Sequence, residues 1–312
     1  MNGPFGFVVI DKPQGITSHD CVNKVRKIFK IKRVGHGGTL DPAVTGVLPI
    51  ALGPATRLLP YLPSDKTYKG IIQLGTTTTT DDLHGEIISN KCWPSLDEHS
   101  IELHLDHFRG LIYQQPPQVS SIHIDGERAY KRVRRGEKLE LPARPITIHE
   151  LLLLRWDQGL GQISINVHCS SGTYIRALAR DLGEKLGCGG CLASLRRTQA
   201  LGFQDTQAFT LPTDSGDNYC SFSQYVISPI YALHHLPHFQ LSTEEEVRNW
   251  RTGRQIDIAN TTINPAPKSQ LSPDQKKTTF VAILDALGEV VGIAERDSCS
   301  LLQPKVVFNA LG

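Results

Sequence analysis

Several stretches of the chain carry a clear period of apolar and polar positions. Gly6 to Ile10 is a short apolar run rich in β-branched residues, and Asp11-Lys-Pro-Gln-Gly15 after it supplies turn formers, which predicts a strand that stops there. Apolar Cys21, Val22, Val25, Ile28 and Phe29 then fall on one helical stripe, with the Ser18 hydroxyl placed to cap the helix. Thr67–Leu74 and Ile163–Val167 alternate with the period of two that marks strands. Between them, Gly75, a run of threonines, Asp81, Asp82 and Gly85 predict a polar loop. Ile175, Leu178, Leu182 and Leu186 predict a helix over 173–186, ended by Gly187.

From about Leu211 to His235 the periodicity breaks into Pro, Asp, Ser and Gly, as connections between domains do. The expected organisation is therefore a first domain over 1–210, a linker over 211–236 and a small β-rich module over 237–312. That module has a short helix near Glu244–Trp250, strands at 278–284 and 289–294, and a polar loop over 264–277.

Composition narrows the class. Over 312 residues, 39% are hydrophobic and 21% charged, a globular balance that excludes a disordered chain. Apolar runs such as Leu151–Leu154 fall far short of the ~20 residues a membrane helix needs, and no charged-then-apolar leader precedes them, so the expected compartment is the cytoplasm. The seven cysteines do not form the dense, even framework of a secreted mini-domain. Cys188-Gly-Gly-Cys191 has a ligand-like spacing but lacks a second pair for a tetrahedral metal, and no metal is expected. The net charge is only +2, yet two basic clusters stand out. One holds Lys24, Arg26, Lys27, Lys30, Lys32 and Arg33; the other holds Arg128, Lys131, Arg132, Arg134, Arg135 and Lys138. Each reads alone as a solvated face, and together they point to a phosphate backbone.

The segment from Gly35 to Pro49 sets Asp41 among glycines and prolines that fix an irregular, exposed backbone. Six separated motifs occur in order along the chain. They are Asp11-Lys-Pro-Gln-Gly-Ile-Thr-Ser18, Gly35-His-Gly-Gly-Thr-Leu-Asp41-Pro, Asp65-Lys-Thr-Tyr68, Arg144-Pro-Ile-Thr147, Ser170-Ser-Gly-Thr-Tyr-Ile-Arg176 and Cys191-Leu-Ala-Ser-Leu-Arg-Arg-Thr198. Over residues 5 to 205 they make the sequence resemble the bacterial tRNA pseudouridine-55 synthase family.

The resemblance implies an α+β fold, with a mixed, mainly antiparallel sheet flanked by helices and a small C-terminal PUA-like RNA-binding domain. It implies isomerisation of the T-loop uridine of tRNA without a cofactor and without an obligatory protein partner. Asp41 matches the catalytic aspartate, Tyr68 the tyrosine that stacks on the uracil, and Arg176 the arginine that pairs with the carboxylate. Leu195 matches the apolar residue against the base, His36 the residue that enters the space of the flipped nucleotide, and Tyr174 precedes the arginine within its motif. Arg26, Lys27, Lys131 and Arg135 are placed as phosphate contacts by charge clustering alone. The chain departs from the family pattern at Ser120-Ser-Ile-His123, at Val133 and in the Ala-Val pair after Pro42. Two rivals remain from the residues: an RNA binder without catalysis, and a glycoside or nucleoside hydrolase, which would ordinarily need a second acid.

Overall fold

The computed structural model describes all residues except 1–2, 121, 125, 138, 213–221, 259–262, 265–278, 299 and 312. Lys138 and most of the expected 264–277 loop thus lie outside the described residues. The chain begins with strand β1 (Gly6–Lys12), helix α1 (Ser18–Phe29), β2 (Val34–His36), β3 (Thr45–Leu52) and β4 (Lys66–Leu74). A hairpin of β5 (Thr76–Thr78) and β6 (Ile87–Asn90) leads to α2 (Glu98–Asp106) and β7 (Gly110–Gln114). Short β8 (His123–Ile124) and β9 (Glu127–Arg128) precede α3 (Ala129–Arg134) and the long strands β10 (Arg144–Asp157) and β11 (Gln162–Cys169). Helix α4 (Ile175–Lys185), β12 (Gly190–Ala200), β13 (Phe203–Gln204) and β14 (Phe209–Thr210) complete the first layer system. There follow α5 (Pro229–Ala232), β15 (His238–Gln240), α6 (Glu244–Arg251), β16 (Ile256–Asp257), β17 (Phe280–Leu284), β18 (Val290–Arg296) and β19 (Leu301–Val307).

The main sheet has ten strands in the order β14-β1-β3-β12-β4-β11-β10-β7, with β13 on β12 and β2 on β3. Most neighbours are antiparallel; β1–β14 and β3–β12 are parallel. The mixed, mainly antiparallel sheet expected from the resemblance is therefore present, followed by a five-stranded β-rich sheet in the order β15-β17-β18-β19-β16.

Strand β1 shows why its sequence is apolar without a gap. Val8 and Ile10 join the core under α1 and α4, while Phe7 and Val9 join a second core on the other face. Strand β3 does the same, with Leu48, Ile50 and Leu52 on one side and Val47 and Ala51 on the other. Strands buried on both faces lose the polar half of the alternation. The sequence reading took the irregular segment through Pro49, but the loop ends before Thr45, because Val47 to Leu52 is a two-sided core strand.

Described residues of the 211–236 connection take part in these cores. Phe222 is buried in the first core, Ile227 bridges to Phe7, and Ala232, Leu233 and Leu236 pack with Phe203 and Leu58. The same cluster contains Ala282, Leu284, Ile293 and Phe308 of the C-terminal sheet. Phe308 packs edge-on against Phe5 at 4.9 Å, and Tyr61 against Phe280 at 4.9 Å. Cutting the chain after residue 236 would thus expose a shared core rather than detach an appendage.

His235 is buried in this junction, and its Nε2 donates to the Tyr61 carbonyl at 2.9 Å. Burial pushes its imidazole below the ordinary value. The unfolded chain then takes up the proton first as pH falls below about 6.5, so the stability this group contributes is present above that pH and is lost as pH falls. His235→Gln should show a smaller fall of Tm between about pH 7.5 and about pH 5.5 than the parent. Equal falls in a calorimetric comparison would show that His235 does not carry this share.

Candidate active site

Helix α1 is capped by Thr17, whose side chain accepts from the Asp20 amide while Asp20 accepts from the Thr17 amide. The expected cap, Ser18, does something else. Buried one residue further in, its Oγ accepts from the Leu40 amide at 2.9 Å and donates to the Leu40 carbonyl at 3.2 Å. It thereby fixes the residue before Asp41. Lys12, fully buried, donates all three ammonium protons to carbonyls, those of Pro13, Ile16 and Pro42, at 2.9, 2.7 and 3.1 Å. Its charge is held below its usual pKa chiefly by burial. Ser18 and Lys12 thus clamp the chain on either side of Asp41, whose side chain is 46% exposed.

Arg176 meets this carboxylate from the first turn of α4, with Nη2 3.0 Å from Asp41 Oδ2. Its side chain is only 8% exposed, so the guanidinium needs further partners. It donates to the carbonyls of Thr80 and Val119, both at 2.9 Å, and lies 3.8 Å from the Asp82 carboxylate. One helical turn later Arg180 repeats the arrangement, with Asp81 at 2.9 Å and the Gln115 carbonyl at 2.8 Å. Asp81 takes φ of 61°, in the left-handed region that aspartate tolerates. Two adjacent acids of the threonine-rich loop therefore serve two arginines spaced four apart on α4. The start of α4 is itself held by Gln114, which exchanges two hydrogen bonds with the Tyr174 backbone at 2.8 and 3.0 Å.

Asp41, Asp82, Arg176 and Leu195 line one cavity of about 400 Å³, within the range of small-ligand pockets. Gly70 of β4 forms part of its wall. A Cβ there would come to 3.1 Å from Leu195 Cδ1, so a side chain at this position would fill the space beside Leu195. Arg196 also lines the cavity and is held in a two-pronged pair with Asp11 at 2.8 and 3.0 Å.

The other expected residues fall in different places. Tyr68 is 8% exposed and packs in the core behind the cavity wall, with its phenol pushed up by burial. Tyr174, partly buried, is likewise pushed up, chiefly by desolvation. His36 sits on β2, where burial and the nearby Arg197 charge keep the imidazole below its ordinary value. Of the positions placed by charge alone, Lys27 and Lys131 are exposed. Arg26 instead folds back, donating to Asn23 at 3.0 Å and to the Val34 carbonyl at 3.3 Å. Arg135 is engaged by Glu127 and Glu137, so a phosphate would have to displace carboxylates. Cys188 and Cys191 are buried free thiols, and burial pushes Cys191 up to about 11.

Three residues of the site carried no assignment from sequence: Lys12, Asp82 and Arg197. Lys12 and Arg197 lay inside quoted motifs, where a buried cation cannot be told from a surface one. Asp82 lay in a loop read only as polar.

The site is thus a half-exposed aspartate bonded to a buried arginine at a cavity on the mixed sheet. The fold has solved counterparts in the crystal structure of a Cbf5-Nop10-Gar1 complex, with TM-score 0.70, 25% identity and coverage of 98% of this chain and 86% of that one. The archaeal box H/ACA sRNP Nop10-Cbf5 complex aligns with TM-score 0.69 and 26% identity, covering 98% and 87%. Residues 26–175 match the TruB family pseudouridylate synthase N-terminal domain, and residues 176–213 the tRNA pseudouridylate synthase B C-terminal domain. The proteins named tRNA pseudouridine synthase B of Prochlorococcus marinus (strain MIT 9313) and Parasynechococcus marenigrum (strain WH8102) are each 56% identical over 100% of both chains. The chain belongs to the TruB family of tRNA pseudouridine synthases.

Proposed function

We propose that this protein converts the uridine at position 55 of the tRNA T-loop into pseudouridine, with Asp41 as its catalytic carboxylate. The bond between C1′ and N1 of uracil breaks, the base turns, and a bond forms between C1′ and C5. The C5 proton is lost and N1 gains one, so no net oxidation occurs and no cofactor is called for. Asp41 can act on C1′, on the base, or on the C2′ proton. The observation that carries the reading is the Asp41–Arg176 contact at the mouth of a base-sized cavity. Arg176 keeps the carboxylate ionised and aimed, and Leu195 lies against the base.

A stacked T-loop base has to leave its neighbours to reach this cavity, at roughly a few kcal/mol. His36, neutral near pH 7 because its pKa is depressed, is suited to take the vacated place as a flat uncharged ring. Tyr68 contributes its face to the base and a hydroxyl for proton exchange once binding uncovers it. Tyr174 borders Arg176, and the exposed Lys27 and Lys131 contact phosphates. The region over 1–210 carries the chemistry. The C-terminal sheet acts as a PUA-like grip on the tRNA away from the base, in a cytoplasmic enzyme that works alone.

The test is tritium release from an unmodified T-arm hairpin carrying uridine labelled at C5. The parent protein should release tritium from the T-loop uridine and none when that position is cytidine. Free uracil in place of pseudouridine would support a hydrolase instead, and tight hairpin binding without release would support a non-catalytic binder.

A further inference from the structure

Arg197 is a cation in an unusual place. Its side chain is fully buried in the strand beside β4, opposite Tyr68 in register. No carboxylate pairs with it among the described residues. The basic groups around it are Lys12, Lys66 and the imidazole of His36, and all three are pushed down in part by this neighbour. A buried guanidinium among other cations is disfavoured by desolvation and by repulsion, and an apolar side chain would fill the strand position without either.

Its hydrogen bonds say what it does. Nε donates to the Val47 carbonyl at 2.8 Å and Nη2 to the Gly38 carbonyl at 3.1 Å. These two carbonyls flank the Asp41 loop, one before it and one after it. The third nitrogen, Nη1, is buried and has no partner of hydrogen-bond geometry among the described residues. Its cross-strand neighbour in register is Tyr68, whose phenol attracts the guanidinium and serves it as a loose hydrogen-bond partner.

Building on the function proposed above, we infer that Arg197 is a positioning residue for the isomerisation: it ties both ends of the Asp41 loop to the strand pair that carries Tyr68 and supplies the Tyr68 phenol with its charged partner. Arg197 touches no substrate; it acts through Asp41 and Tyr68.

The experiment compares the parent with Arg197→Met and Arg197→Lys in two readouts. In single-turnover tritium release on the T-arm hairpin, Arg197→Met should be slower by about 100-fold with hairpin affinity unchanged within about threefold, a loss in kcat and not in KM. Arg197→Lys keeps the charge but not the fork, and should recover about tenfold of that loss. In the second readout the tyrosines carry ¹³C at Cζ, and the Tyr68 resonance is identified by its loss in Tyr68→Phe. That resonance should move in both Arg197 variants, and its ionisation should rise in pH in Arg197→Met. Arg197→Lys serves alone if Arg197→Met does not fold. An unmoved Tyr68 resonance, or turnover by Arg197→Lys equal to the parent, overturns the inference. A parent protein that releases no tritium would instead overturn the function, while the resonance still reports on the contact.

Discussion

Asp41→Asn should leave a folded protein that still binds the T-arm hairpin and forms pseudouridine at least about 10⁴-fold more slowly than the parent. The side chain is 46% exposed, so the isosteric amide removes no core packing. Its oxygen can still accept from Arg176, and Ser18 and Lys12 hold the loop through backbone atoms that the substitution does not touch. What disappears is the negative charge and the nucleophilic or basic oxygen, which no neighbour replaces. Asp82, the other acid of the network, is engaged through the other terminal nitrogen of Arg176. Single-turnover tritium release and a parallel binding isotherm check this. A variant within tenfold of the parent rate would remove Asp41 from the chemistry.

Arg176→Lys should lower the single-turnover rate by about 10²-fold or more and lower Tm as well. The guanidinium connects four acceptors at once: Asp41, Asp82 and the carbonyls of Thr80 and Val119. Lysine has three protons on one atom and cannot span them, so at least one buried acceptor loses its partner and the Asp41 carboxylate loses its fixed direction. Each lost bond to a buried carbonyl costs about 1–3 kcal/mol. Hairpin affinity should change little, because Arg176 lies beneath the surface that RNA approaches. A lysine variant with parent-like turnover would show that the pair is structural only.

Much of this site was legible in the sequence. The Asp41 loop announced itself by glycines and prolines around one acid, and Arg176 by its place in a motif. Their partnership was legible only through the family resemblance. The cap on α1 was misplaced by one residue, because Thr17 and Ser18 offer the same hydroxyl and only the Asp20 bond separates them. Strands β3 and β12 escaped the period rule because burial on both faces, or a bulge, removes simple alternation. Charge clustering failed to separate Lys27, which is exposed, from Arg26, which folds back, and Arg135, which is neutralised by two glutamates.

The sequence alone determined local features: strand β1, the helices α1 and α4, the stop of α4 at Gly187 with φ of 75°, and which acid is held out of the core. These depend on backbone preferences and on neighbours a few residues away, which a sequence displays directly. Tertiary structure decided the rest. The parallel pairing of β3 with β12 brings Arg197 against the carbonyls flanking Asp41, and the docking of α4 on the sheet sets Arg176 between Asp41 and Asp82. Those contacts join residues far apart along the chain, and whether a given Arg or Lys is buried, paired or free depends on the order in which strands assemble.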